Sequence, residues 1–118
     1  MSFDIQAYDF QTIDLSVARK DQPLGLSGTS LIIYRLTDPV SIKLNDRRFG
    51  SIQLTACDEI NPINVSFIPF TEVYLTNNAR QGAYMNIIVL AGGTSSQIVD
   101  ELQKPKGLDR IFHAVGLI

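Results

Sequence analysis

Apolar and polar side chains alternate over much of the chain, in short runs separated by turn residues. In the clearest run, 40–44, Val40, Ile42 and Leu44 share one face of a strand. This period of two is typical of a half-buried β-strand. Similar runs, or short β-branched and aromatic runs, predict further strands at 3–6, 12–17, 30–36, 51–55, 63–68, 70–76 and 84–90. Since no interval between these strands holds a helix long enough for a parallel crossover, we expect antiparallel pairing.

Turn residues fall between the predicted strands. Residues 21–28 hold one proline and two glycines and predict a loop. Residues 77–82 predict a hairpin loop, with Asn77 and Gly82 as its turn residues and 84–90 as the return strand. Strands that start roughly every ten residues predict an all-β fold, an antiparallel β-sandwich of jelly-roll or Greek-key type.

The last part of the chain has a different pattern. Thr94, Ser95 and Ser96 offer capping side chains for a short amphipathic helix over 97–102, and the residues after Lys106 are unusually apolar for a chain end. We therefore expect this helix and apolar tail to pack on the domain or on a neighbouring subunit. The predicted parts are an N-terminal strand or arm, a β-sandwich core, and this C-terminal segment, at 1–28, 29–91 and 92–118.

Length and composition narrow the class of protein. The 118 residues fit one domain, and 45% hydrophobic with 19% charged residues excludes general disorder. Ten Lys and Arg against twelve Asp and Glu argue against a nucleic-acid partner, which needs a basic face. The longest apolar run, 87–91, is too short to cross a membrane, and Asp4, Asp9 and Asp14 interrupt any signal peptide. Cys57 is the only cysteine, so we expect synthesis in a reducing cytoplasm without an internal disulfide.

Candidate chemistry is sparse. His113 is the one histidine, and the sequence has no motif that supplies a nucleophile for it to activate as a base. We therefore interpret it as a packed or exposed residue of the tail. Cys57 precedes two acids, which raise a thiol pKa and oppose thiolate formation, so a half-buried structural cysteine is expected. Residues 92–96 lack the lysine of a phosphate-binding loop. The sequence thus predicts no catalytic residue and no bound cofactor.

Charged and aromatic residues also have simple explanations. The acids in predicted turns form no Asp-x-Asp-x-Asp run, so no metal site is expected. The doublet Arg47 and Arg48 predicts a solvated turn rather than a phosphate site. Most aromatic residues follow strand periodicity and tryptophan is absent, which favours core packing over a carbohydrate platform.

One series of motifs points to a particular family more specifically than strand and turn patterns alone do. The motifs are Thr12–Arg19, Pro23–Gly28, Ile42–Asn45, Ile52, Ile60, and Pro69–Asn77 with Ala79 and Gly82. This order resembles small β-sandwich proteins of tailed-bacteriophage structural gene clusters, in which an "IDLS-AR" stretch precedes an "L-LSG" turn and a strand ends in "LYLTN-A--G". The likeness spans 12 to about 90. It implies a structural scaffold without catalytic residues, in which Phe70, Val73 and Leu75 belong to the hairpin strand.

The resemblance implies a non-enzymatic virion protein made in the host cytoplasm. We expect a capsid cement or decoration protein that contacts the major capsid protein or other virion proteins, as a homo-oligomer. The alternatives are a neck, tail or baseplate component, or a carbohydrate- or receptor-binding sandwich module. An exposed sheet edge and apolar chain ends suit assembly with neighbouring chains. The candidate interface residues are Phe3, Ile5, Leu108, Ile111, Phe112, Val115, Leu117 and Ile118.

Overall fold

The fold is built from two four-stranded antiparallel sheets. The computed structural model describes residues 8–65, 69–90, 99–100, 102–104 and 106–109. Sheet A has the strand order β1-β8-β3-β6 and sheet B the order β2-β7-β4-β5. The strands are β1 (Tyr8–Asp14), β2 (Arg19–Pro23), β3 (Ser30–Leu36), β4 (Val40–Leu44), β5 (Ile52–Leu54), β6 (Ile63–Val65), β7 (Val73–Asn77) and β8 (Tyr84–Leu90). The predicted antiparallel all-β class is confirmed, with only a few helical residues described, all after residue 98.

The strands with the strongest sequence signal have the predicted bounds. These are β3, β4 and β8. The first strand covers 8–14 rather than 12–17, and β7 begins at Val73 rather than Phe70, which makes only a single bridge to Gly28. The predictions at 3–6 and 66–68 lie outside the described residues.

Strand β2 lies where the sequence predicts the start of a loop. Its register against β7 shifts between Arg19 and Gln22, and Asp21 has a φ of 47°. Arg19, Lys20, Asp21 and Gln22 are all polar, so the sequence of this strand has no apolar–polar alternation from which it could be recognised. Pro23 ends the strand at a sheet edge, the position where a proline is tolerated.

The predicted hairpin between β7 and β8 is wrong. β7 pairs with β2 and β4 in sheet B, whereas β8 pairs with β1 and β3 in sheet A. The loop with Gly82, which has a φ of 81°, therefore carries the chain from one sheet to the other, and Asn77 is the buried last residue of β7. Among the connections between the eight described strands, only β4–β5 stays within one sheet. Turn residues mark where a strand ends, but they do not decide which strand becomes its neighbour.

The main hydrophobic cluster takes side chains from both sheets. Strands β4 and β7 alternate, so that Ile42 and Leu75 are buried while Lys43 and Tyr74 are only half-buried. Sheet A contributes Ile33 and further residues of β3 and β8 to the same cluster. Removal of this apolar surface from water is the main stabilising contribution to the fold. The buried members are Leu15, Leu26, Leu31, Ile33, Leu36, Val40, Ile42, Leu44, Leu54, Val65, Phe70, Val73, Leu75, Ala83, Met85, Ile87 and Val89.

Candidate interaction surface

Sheet A is apolar on its second face as well. Ile32 pairs with Ile88 across β3 and β8, on the opposite face from their neighbours Ile33 and Ile87 in the main cluster. We call this second set the outer cluster; its buried members are Ile32, Tyr34, Ile88, Leu90 and Leu102. A sheet with one face on the core usually has a polar second face, so this apolar face needs a cover.

The segment after β8 supplies that cover. Leu102 is 1% exposed within the outer cluster, and Val99 and Leu108 pack against it. Val99 and Leu102 are three residues apart, the spacing that places two side chains on the same side of a helical turn. The Gln103 amide donates to the Val99 carbonyl oxygen at 3.3 Å, as expected for such a turn. Among the described residues of this segment, Val99, Leu102 and Leu108 make the contact with the outer cluster.

Leu108 is the one candidate interface residue that the structure describes. It is half-buried against the outer cluster of its own chain, and part of its side chain is accessible to a neighbour. The other candidate interface residues lie outside the described residues: Phe3, Ile5, Ile111, Phe112, Val115, Leu117 and Ile118. Sequence reasoning identified the apolar segment but missed the face that receives it. The signal was present in the nearly continuous apolar runs 31–34 and 87–90, which are typical of strands buried on both faces.

A cleft of about 360 Å³ lies where this segment meets the β5–β6 loop. Its lining includes Glu59, Ile60, Lys106 and Leu108. Two oxygens of Glu59 accept from Nη2 of Arg35 at 2.9 and 2.7 Å, and this hydrogen-bonded ion pair lowers the pKa of Glu59. Ile60 is 61% exposed. The cleft thus combines a fixed carboxylate with an exposed apolar side chain.

The opposite sheet has a polar outer surface beside the β4–β5 loop. Lys43 Nζ lies 3.2 Å from Asp21 Oδ2 and donates to the Arg47 carbonyl oxygen at 3.0 Å. The Arg47 guanidinium lies 5.1 Å from the centre of the Tyr74 ring. The two arginines of the predicted solvated turn, Arg47 and Arg48, are both exposed.

Within that loop, Asp46 organises the turn. Its Oδ1 accepts from the Arg48 amide at 2.9 Å, and its Oδ2 lies 2.7 Å from Nη2 of Arg48. These hydrogen bonds to Arg48 lower the pKa of Asp46 to about 2. The carboxylate is therefore occupied by its own loop, as expected for an aspartate in a turn.

Asn77 has a role that the hairpin prediction missed. Its Nδ2 donates to the carbonyl oxygens of Leu15, Val17 and Asn78 at 3.3, 3.0 and 2.9 Å, and its Oδ1 accepts from Arg19 at 3.3 Å. The Asn77 side chain is buried, so these bonds satisfy its own amide group. Asn77 thereby joins the end of β7 to the β1–β2 loop.

The candidate nucleophile Cys57 occupies a structural position. It is half-buried, and its Sγ donates a hydrogen bond to the Ile33 carbonyl oxygen at 3.4 Å. Its backbone forms an isolated antiparallel β-bridge with that of Leu36. Burial, followed by the charge of Asp58, raises the pKa of the thiol. This environment disfavours the thiolate that nucleophilic chemistry needs.

The other residues considered for catalysis or anion binding, His113 and residues 92–96, lie outside the described residues. In the described ranges, no group of three or more His, Cys, Asp or Glu side chains is arranged to hold a metal ion. The described residues also include no helix with the length and hydropathy needed to span a membrane.

Comparison of the chain with protein-family models, with curated proteins and with solved structures finds no match.

Proposed function

We propose that the chain is a non-enzymatic structural protein of a tailed-bacteriophage virion, a capsid cement or decoration protein that binds and stabilises the head shell. In this proposal the chain is made in the host cytoplasm and assembles as a homo-oligomer against the major capsid protein. The resemblance to small virion β-sandwich proteins over 12 to about 90 gives the protein class. The segment that covers the outer cluster of sheet A carries the assembly role.

The strand order supports a jelly-roll sandwich. Successive strands alternate between sheets A and B except at β4–β5, and one buried cluster takes side chains from both sheets. Two sheets that face each other over a shared core, with chain crossings between them, are the arrangement of jelly-roll domains. Viral capsid proteins use this architecture, but lectins and small-molecule-binding domains use it too, so the fold alone does not select a function.

The observation that carries the proposal is the apolar outer face of sheet A together with the segment that covers it. Ile32, Ile88 and Leu90 are each at most 1% exposed. They are covered by Leu102, which follows the last described strand in the sequence. Leu108 of this segment is only half-buried, so part of its side chain can contact a neighbouring chain. Repeated over a lattice, such modest contacts gain strength by multivalency.

The first experiment is quantitative mass spectrometry of purified particles from the source, scaled to the major capsid protein. A copy number comparable to that of the capsid protein supports a cement or decoration protein. A few copies per particle would instead indicate a neck, tail, baseplate or fibre component. Complete absence from particles would contradict the virion proposal and favour a carbohydrate- or receptor-binding module.

A second experiment tests the role of the C-terminal segment. A chain that ends at Gly93 keeps all eight described strands but loses Val99, Leu102 and Leu108. We expect it to retain its β circular dichroism and to lose both oligomerisation and binding to heads that lack the protein. Normal assembly of this shortened chain would contradict the assembly role of the segment.

A further inference from the structure

A shallow cleft of about 480 Å³ lies beside β2, on sheet B and away from the outer cluster. It is lined by Lys20, Asp21, Gln22, Pro23 and Arg47. β2 is an edge strand, and its bulge and proline interrupt the regular row of backbone donors and acceptors. Recognition of a partner at this edge therefore depends on side chains rather than on an added strand.

Arg47 is held in position before any partner arrives. Its guanidinium lies over the Tyr74 ring at 5.1 Å, and its carbonyl oxygen accepts from Lys43 Nζ at 3.0 Å. A cation–π contact of this kind leaves the N–H groups of the guanidinium able to donate to a partner. That planar fork matches the two oxygens of a carboxylate.

The cations that line the cleft have no acidic partner among the described residues. Lys43 is paired with Asp21, and Arg48 with Asp46, but Lys20 and Arg47 form no ion pair in that part of the chain. The local charge available to a partner is thus positive on a protein of net charge −2. Two unmatched cations suit one or two carboxylates, whereas a long polyanion binds a much wider basic face.

An apolar anchor lies on the same loop. Phe49 follows Arg47 by two residues and is 54% exposed. Aromatic and arginine side chains together are the residues that most often dominate binding at protein interfaces.

We propose that Lys20, Arg47 and Phe49 form a docking site for an acidic segment of a partner protein, with a carboxylate held by the Arg47 fork. The site is separate from the outer cluster, and the proposal does not depend on the virion role.

The test is an amide NMR titration of the full chain with a short, end-blocked peptide of alternating glutamate and leucine. We expect shifts that concentrate at Lys20, Gln22, Arg47 and Phe49, and little response to the same peptide with glutamine in place of glutamate. Arg47→Gln should weaken binding about tenfold, since a charge-assisted bidentate contact is lost. Arg47→Lys keeps the charge and should still weaken binding about threefold or more, because the fork is lost.

Arg48→Gln is the matched control. It removes the same charge from the same loop, at a side chain that is 88% exposed and paired with Asp46. We expect it to change the affinity by less than about twofold. Equal weakening by the two Gln variants would mean that the peptide senses net charge only, and would overturn the proposal. So would an absence of localised shifts, or tighter binding of a single-stranded DNA oligonucleotide with the same dependence on Arg47.

Discussion

The Asn77 side-chain amide donates to the Val17 carbonyl oxygen at 3.0 Å, and it thereby joins the last residue of β7 to the loop between β1 and β2. β1 belongs to sheet A and β2 and β7 to sheet B, so the loop that Asn77 holds is a crossing between the sheets. The same amide also donates to the Leu15 carbonyl oxygen. One buried polar side chain thus organises the place where the chain passes from β1 in sheet A to β2 in sheet B.

We expect Asn77→Ala to lower the free energy of unfolding by about 1–3 kcal/mol, because it removes the hydrogen bonds through which this buried amide joins β7 to the β1–β2 loop. Asn78→Ala is the control, since Asn78 is exposed and the described structure uses only its backbone oxygen in this network. Urea unfolding followed by circular dichroism measures both variants. Equal stability of the two variants would show that the amide network contributes nothing.

Gly28 lies too close to the backbone of β8 to accept a side chain. A Cβ at this position would lie 2.5 Å from the Leu90 carbonyl oxygen. Gly28 also exchanges two backbone hydrogen bonds with Phe70, each 2.8 Å long, so its backbone cannot move away without loss. We expect Gly28→Ala to cost about 1–3 kcal/mol of unfolding free energy, as overpacking does elsewhere.

Gly50→Ala is the matched control for that variant. A Cβ at Gly50 would meet nothing within 4 Å, and its φ is not in the positive region. This substitution should leave the thermal midpoint unchanged or raise it slightly, because alanine has less freedom in the unfolded chain. A similar loss of stability in both variants would contradict the close approach at Gly28.

The ion pair between Arg35 and Glu59 predicts a specific pH dependence. The pair lowers the pKa of Glu59 below its ordinary value of 4.5. A carboxyl whose pKa is lower in the folded state stabilises the fold above the unfolded pKa, and this contribution is lost as the pH falls through the folded pKa. We therefore expect the wild type to exceed Glu59→Gln in unfolding free energy at about pH 7, and the difference to shrink as the pH falls below the unfolded pKa and through the lowered folded pKa.

The expected difference is small, since the Arg35 and Glu59 side chains are 41% and 30% exposed and solvent weakens such pairs. The measurement is urea unfolding of both proteins over the acid range. A difference that grows as the pH falls would have the wrong sign and would contradict the lowered pKa.

The sequence was sufficient to predict those strands whose two faces differ clearly in polarity. The alternation at Val40, Ile42 and Leu44 predicted β4 with its observed bounds and its buried face. It failed at β2, because Arg19 to Gln22 are all polar and give no alternation. Local patterns thus locate a strand only where its two faces differ in polarity.

The pairing of strands was harder to predict from the sequence. The residues between Asn77 and Tyr84 have turn chemistry that suits a hairpin, yet the two strands belong to different sheets. A choice between neighbours depends on contacts far apart in sequence, such as that of Asn77 with Val17. The candidate surface was predicted in the same partial way: Leu108 was named, but not the face on β3 and β8 that it contacts.

Variants of Leu102 and Leu108 test folding and assembly separately. Leu102 is 1% exposed in the outer cluster, whereas Leu108 is only half-buried against it. We expect Leu102→Ala to cost about 2–4 kcal/mol, because it leaves a cavity between the covering segment and sheet A. Leu108→Ser should cost less than about 1.5 kcal/mol, because the side chain is already partly in water.

Assembly should respond in the opposite order if the exposed part of Leu108 contacts a neighbour. At a temperature where both variants are folded, Leu108→Ser should reduce the oligomer fraction in analytical ultracentrifugation more than Leu102→Ala does. An exposed interface residue affects association directly, whereas a buried residue affects it only through the seating of its segment. If Leu108→Ser assembles like the wild type while Leu102→Ala does not, the segment serves only to cover its own sheet, and the assembly surface lies elsewhere on the molecule.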